Sequence, residues 1–261
     1  MSEIHPSALI EPGAKIGEDC IIGPFCVVGS KVSLGDRVEL KSHVVVTGDT
    51  RIGADTVIFN FSVIGEIPQD LKFQGESTKV VIGERNRIRE HVTVNSGTDG
   101  GGGVTRIGDD GLFMAGVHVA HDVQIGNRVI MVNNSGCAGH CIVEDDVIIG
   151  GLSGLHQWVR VGQGAIIGAL TMVPNDVIPH GLVHAARGKL EGLNLVGLKR
   201  RGVARADISA LRAALQSMAQ GEGSFQERVA RLGEDNDSEY VQQIVDFVMG
   251  HSDRSFLTPG S

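Results

Sequence analysis

Large aliphatic residues return at every sixth position along most of this chain. From Ile4 the sixth residues are Ile10, Ile16, Ile22, Val28, Leu34, Leu40, Val46, Ile52, Ile58 and Ile64. A second run starts at Ile107 and passes through Phe113, Val119, Ile125, Met131, Cys137, Val143, Ile149, Leu155, Val161 and Ile167 to Val173. Eleven positions in the first run and 12 in the second are apolar without a miss. At 41% hydrophobic residues, chance would give this on the order of once in 10⁹. Ile82, Ile88 and Val94 form a short run between the two. The fifth position of each hexad is small, from Ala8, Ala14, Cys20 and Cys26 to Cys141, Val147 and Ser153, and the second is often glycine, as at Gly17, Gly23, Gly35, Gly126 and Gly150. One large and one small residue per hexad then point inward, and glycine or a polar residue supports a sharp corner. The beat predicts a parallel β-helix of hexapeptide repeats, a solenoid whose rungs contact only their neighbours.

The beat breaks at residues 66–79 and again at 95–106. Both breaks are expected to be loops leaving the solenoid at its corners, where insertions are tolerated and often functional. The run Gly100 to Gly103 lacks the strand, helix and Lys-Ser or Lys-Thr of a phosphate cradle, so it reads as a flexible loop over a cleft. After Val173 the period becomes helical. Ile208, Leu211, Leu215 and Met218 share one face; Ser224 is a cap for a helix carrying Phe225, Val229 and Leu232; Asp237 or Ser238 caps another with Val241, Ile244, Val245 and Val248. These signals divide the chain into a solenoid over 1–190 and a helical domain over 191–261 that covers the last sheet edge.

Composition narrows the partners. The net charge is −8 and the pI about 5.7, so neither nucleic acid nor any other polyanion is bound by overall charge. An acidic partner needs a local basic patch, for which Lys199, Arg200 and Arg201 are the candidate. No leader pattern and no membrane-length apolar run is present, which predicts a cytoplasmic protein with reduced thiols. All four cysteines fall on inward positions and read as core filler. No cofactor motif is found.

The candidate chemistry centres on Val119-Ala120-His121-Asp122. Relating it to other histidines needs the length of one coil, and here the hexads resemble those of the hexapeptide-repeat acyltransferases. The resemblance implies an 18-residue triangular coil and a left-handed helix, an exception to the right-handed rule for parallel crossovers. On that coil the hexads from Val119, Cys137 and Leu155 stack on one face. They carry His121, His140 and His156, with His118 at the corner and Asp122 and Gln157 alongside. Two chemistries suit such a group. His-x-x-His with a third histidine could bind Zn²⁺. Alternatively, Asp122 holds the His121 tautomer and stabilises its imidazolium, making His121 a general base. With the thiols facing inward, no nucleophile stands beside it, so direct transfer without an acyl-enzyme is expected.

A closer resemblance rests on residues 65–72 (Gly-Glu-Ile-Pro-Gln-Asp-Leu-Lys), His-Val-Ala-His-Asp at 118–122, Ala-Gly-His at 138–140, Gly-Leu-Ser-Gly-Leu-His-Gln at 151–157 and Gly-Leu-Lys-Arg-Arg-Gly at 197–202. In this order they resemble the UDP-N-acetylglucosamine O-acyltransferase family, which opens lipid A synthesis. The resemblance implies an (R)-3-hydroxyacyl-acyl carrier protein as donor and UDP-GlcNAc as acceptor, with His121 as base, Asp122 as its orienting group and the Gly139 N–H as oxyanion donor. It places Gln69, Asp70, Lys72, His118, His140, His156 and Gln157 on the nucleotide sugar and pantetheine, Asn194 on the donor arm and Arg200 and Arg201 on phosphate oxygens. Ala169 falls at the acyl-length position, and a homotrimer is implied. Asn95-Ser96 stands where His-Arg is familiar in the family, and Val196 where an acidic residue is usual. Some members acylate a 3-amino analogue of the sugar, so that acceptor stays open, as do a UDP-acylglucosamine N-acyltransferase, a zinc hydratase of carbonic anhydrase type and a non-catalytic scaffold.

Overall fold

The structure is a computed structural model that describes residues 1–184, 188–234 and 236–259. Two-residue strands turn through three walls and return one wall at a time. The first wall has 11 strands beginning at Glu3–Ile4, the second has nine beginning at Leu9–Ile10, and the third has eight beginning at Lys15–Ile16. Pairing is parallel with an 18-residue register, as in Glu3 with Ile21, Leu9 with Val27 and Lys15 with Ser33. The chain is the expected left-handed parallel β-helix of hexapeptide repeats with helices at its C-terminal end.

Most corners are turned with the fourth residue of a hexad in the left-handed backbone region. Asp19, Phe25, Arg37, His43, Asp122 and His140 all lie near φ +60°. Asp, Asn and His tolerate that region better than most residues, which suits a corner carrying Asp122 and His140.

First-position side chains fill the interior. Ile22, Leu40, Ile58, Ile88, Phe113, Met131, Ile149 and Ile167 stack along the first wall with at most 1% exposure. All four cysteines are buried free thiols, and burial pushes Cys141 up to about 12 and Cys137 well above the ordinary range, in keeping with packing rather than chemistry. The first coil departs from the pattern: Ile4 is 45% exposed and Ile10 and Ile16 are half-buried, because no coil lies beneath them.

Both interruptions leave from the same corner, between the second wall and the third. Val57 pairs with Arg87, 30 residues on, so the first adds 12 to the 18-residue register; Arg87 pairs with Leu112, 25 residues on, so the second adds seven. The strands reach further into the breaks than the hexad count predicts. Glu66 and Lys79 belong to strands Val63–Glu66 and Lys79–Ile82, and Asn95 and residues 104–106 to strands Thr93–Asn95 and Val104–Ile107. The loops proper are therefore 67–78 and 96–103, because backbone pairing continues where the apolar beat has already lapsed.

The final strand, Lys189–Leu193, runs antiparallel to Gly181–His184 and crosses residue 190. Helices α1 (Leu195–Arg200), α2 (Arg205–Ala219), α3 (Phe225–Glu234) and α4 (Glu239–Met249) follow. Ile208, Leu211 and Met218 are buried as expected, but Ala214 takes the place of Leu215 at the centre of the α2 face. Ser224 and Glu227 form a reciprocal capping box, while Ser238 precedes α4 with its hydroxyl bound to Asp207 instead of the helix. Among the described residues, no helix is long and apolar enough to cross a membrane.

Candidate active site

His121 and Asp122 occupy the corner from which both loops project. His121 Nδ1 donates to Asp122 Oδ2 at 2.9 Å, and the two residues are 7% and 3% exposed. The Asp122 carboxylate is held from the other side by the second loop. The Thr98 N–H donates to both oxygens at 2.9 and 3.0 Å, and the Thr98 hydroxyl donates to Oδ2 at 2.6 Å. Its own N–H donates to Thr105 Oγ1 at 2.8 Å. Gly101 lies so close over this carboxylate that a side chain there would collide with it. Within the glycine run the constraint falls on position 101, where only glycine permits the approach; a carbon added at Gly100 or Gly102 would meet nothing within 4 Å.

With Nδ1 engaged, Nε2 is the ring nitrogen left for chemistry, and no described residue hydrogen-bonds it. Gly139 packs against the His121 imidazole, where any Cβ would clash. No described carbonyl or side chain accepts the Gly139 N–H.

His140 meets His121 edge-on at 4.9 Å between ring centroids and stacks on Trp158 at 3.8 Å and 6°. Its Nδ1 stands 3.7 Å from Asp122 Oδ2, beyond hydrogen-bond reach. Burial holds the His140 pKa below the ordinary histidine value against the opposing pull of Asp122. His118, whose Nδ1 is 2.7 Å from Thr93 Oγ1, is also held low, first by burial and then by His121. Asp70 and Lys72 from the first loop face His140, Trp158 and Thr98 across a cleft of about 480 Å³. Gln69 is exposed on the same loop. Asn95 ties the loops together through Nδ2 to the Ile67 carbonyl at 2.9 Å, and Ser96 is joined to Thr78 at 3.0 Å.

His156 and Gln157 are exposed one coil beyond His140 on the same wall, where His156 contacts the C-terminal segment. Other expected site residues lie at the remaining corners. Asn194 caps α1, accepting from the Gly197 N–H and donating to the Gly164 carbonyl, both at 2.9 Å. Arg201 reaches His180 Nδ1 at 3.2 Å beside Gly164, at the corner between the third and first walls, with Arg200 next to it. Ala169 is exposed at the remaining corner. One chain thus spreads the expected site over all three corners.

His121, Asp122 and His140 could also offer a metal three ligand atoms within 4.8 Å of one another. His118 does not join them, contrary to the His-x-x-His expectation. A metal on Asp122 Oδ2 would compete with the hydrogen bonds that this oxygen already accepts from Thr98 and His121.

Residues 176–257 match the family model described as UDP N-acetylglucosamine O-acyltransferase, domain 2, and residues 4–98 match that of the GMPPB C-terminal domain. The chain is 64% identical over 203 residues to the acyl-[acyl-carrier-protein]–UDP-N-acetylglucosamine O-acyltransferase of Paracoccus denitrificans, covering 78% of this chain and 77% of that one. It is 43% identical over 260 residues to the protein of the same name from Agrobacterium fabrum, covering 99% and 96%. The chain belongs to the UDP-N-acetylglucosamine O-acyltransferase family. The solved structure of UDP-N-acetylglucosamine acyltransferase from Campylobacter jejuni superposes with a TM-score of 0.93 at 36% identity, covering 98% of this chain and 99% of that one.

Thr98 and Trp158 are site residues that the hexad pattern does not single out. Trp158 lies 18 residues after His140 at the same hexad position, so the coil arithmetic that pairs the histidines reaches it too. Thr98 sits in a loop with no period to mark it.

Proposed function

We propose that this member of the UDP-N-acetylglucosamine O-acyltransferase family moves an (R)-3-hydroxyacyl chain from acyl carrier protein to the 3-hydroxyl of UDP-GlcNAc, the step that opens lipid A synthesis. The observation that carries the mechanism is the His121–Asp122 pair, with Nδ1 tied to the carboxylate and the imidazole packed against Gly139. His121 Nε2 takes the hydroxyl proton as the sugar oxygen attacks the thioester carbonyl carbon. Charge passes to the carbonyl oxygen, where the Gly139 N–H donates, a contribution of about 3 kcal/mol by analogy with other oxyanion donors. Collapse breaks the C–S bond, and the imidazolium returns its proton to the departing thiolate. Asp122 stabilises the imidazolium in between.

Asp70, Lys72, His118, His140, Gln69, His156 and Gln157 hold the two substrates. Arg200 and Arg201 bind phosphate oxygens, and Ala169 limits the acyl chain. A single chain holds these groups at different corners, so the reading requires a homotrimer with sites shared between subunits. The first wall supports it. Its outward residues Leu112, Ile130, Ile148 and Ile166 repeat every 18 positions and, with Leu182, make a half-buried apolar stripe. On the second wall Gly154 has nothing within 4 Å of a built Cβ, so its bareness serves whatever lies against that wall. Ile148→Asp is expected to yield folded monomers by light scattering with acyl transfer reduced at least tenfold, since one trimer-forming face and the borrowed arginines are lost together. A fully active monomer would overturn the shared site.

The decisive assay pairs purified protein with hydroxyacyl-carrier donors of several lengths against UDP-GlcNAc and its 3-amino analogue. Transfer to UDP-GlcNAc is expected. Preference for the amine would move the acceptor assignment, and no transfer with any donor would reject the reading.

A further inference from the structure

We propose that Arg254 is a positioning residue that fixes the tautomer of His156, so that its Nε2–H is presented to the nucleotide sugar as a donor. The proposal rests on the reading of His156 as a substrate contact. Arg254 comes from the segment after α4, 98 residues along the chain from His156, yet its Nη2 lies 2.9 Å from His156 Nδ1. Its Nε donates to the Gln157 carbonyl at 3.1 Å. That carbonyl is also 3.2 Å from His156 Nδ1, which leaves two ways to place the imidazole proton.

The guanidinium decides between them. It has donors only and is always charged. A proton on Nδ1 would set two donors against each other at 2.9 Å, so Nδ1 must be the acceptor and the neutral ring carries its proton on Nε2. The Gln157 carbonyl then takes its hydrogen bond from Arg254 Nε. The planar fork fits both acceptors at once.

The segment bearing Arg254 is held on either side of it. The fully buried Asp176 accepts from the Arg160 N–H and Nε, each at 2.8 Å, and from the Ser252 hydroxyl. Its backbone pairs with Ser255 and Leu257 at 2.9 and 2.8 Å. The Arg160 guanidinium lies over Phe247 at 4.6 Å and Phe256 at 5.7 Å. His251, Ser252 and Asp253 then line a cavity of about 260 Å³ together with Asp122, His140 and Trp158. The C-terminal segment is thus a wall of the candidate site, and Arg254 is its contact with a histidine of that site.

The test uses the full-length protein and two readouts. Imidazole nitrogen chemical shifts in histidine-labelled protein, assigned by difference from His156→Gln, are expected to show a pyridine-like Nδ1 and a pyrrole-like Nε2 at His156. Arg254→Ala is expected to mix the tautomers and to raise KM for the sugar nucleotide about fivefold, the effect of one hydrogen bond, with kcat within about twofold. Arg254→Lys, which supplies one donor centre instead of a fork, recovers part of the KM. A His156 protonated on Nδ1 in the unaltered protein overturns the proposal whatever the variants do, as does an Arg254→Ala protein with native tautomer and native KM. If His156→Gln raises KM for the sugar nucleotide and Arg254→Ala does not, the positioning role fails and the site reading stands. If neither changes that KM, His156 is no substrate contact, and that reading of His156 fails with the proposal.

Discussion

Replacing His121 by alanine is expected to lower turnover by about 10²–10⁴-fold, the range a positioned general base supplies. His121 Nε2 is the only nitrogen of the His121–His140 pair whose partner nitrogen is anchored to a carboxylate. His140 cannot take over, because its Nδ1 stands 3.7 Å from Asp122 and its ring is committed to Trp158. The substitution removes a corner side chain and leaves the inward stack of Val119, Cys137 and Leu155 intact, so the solenoid should survive. Steady-state rates with saturating donor and acceptor, beside a thermal melt, check this. Activity within about threefold of the unaltered protein would remove His121 from the base role.

Asp122→Asn is expected to cost about 10³-fold in kcat while both KM values stay within about threefold. Asparagine tolerates the left-handed backbone at this corner, so the fold is spared. Oδ2 accepts from the Thr98 hydroxyl, the Thr98 N–H and His121 Nδ1, while Oδ1 accepts from the Thr98 N–H alone, so an amide sets its NH₂ against that N–H whichever way it turns. With NH₂ at the Oδ2 position, His121 Nδ1 becomes an acceptor, the ring proton moves to Nε2, and the lone pair needed for catalysis disappears. With the oxygen there, the tautomer is kept and the imidazolium loses its counter-charge. Rates for the variant together with the His121 nitrogen shifts test this; an unchanged tautomer with a lost rate would shift the effect from proton placement to lost charge.

How far the sequence can be read follows from which contacts are periodic. Ile22 through Ile167 recur at fixed intervals because they fill one repeating interior, so the solenoid and its inward cysteines are legible from the sequence alone. Coil arithmetic brings His121 and His140 to one corner and brings Trp158 there equally. It sets His156 on the same wall one coil further on. Thr98 over Asp122 and Arg254 on His156 are invisible to it, since aperiodic segments meet the solenoid through contacts that no local pattern announces. The stripe Leu112, Ile130, Ile148 and Ile166 has a period of 18 but is masked by the inward aliphatics next to it.

The 18-residue register also governs how this protein can change in length. Away from the corner that carries both loops, every residue is tied to partners one coil before and one coil after, so a single inserted amino acid turns inward side chains outward from that point on. Duplication of a complete coil near the N-terminal end would instead extend the prism by about 4.8 Å and leave the imidazoles where they are. Gradual lengthening is open to one edge only, and that edge is the one where the chemistry sits, which lets the pocket be remodelled while the shaft stays constant.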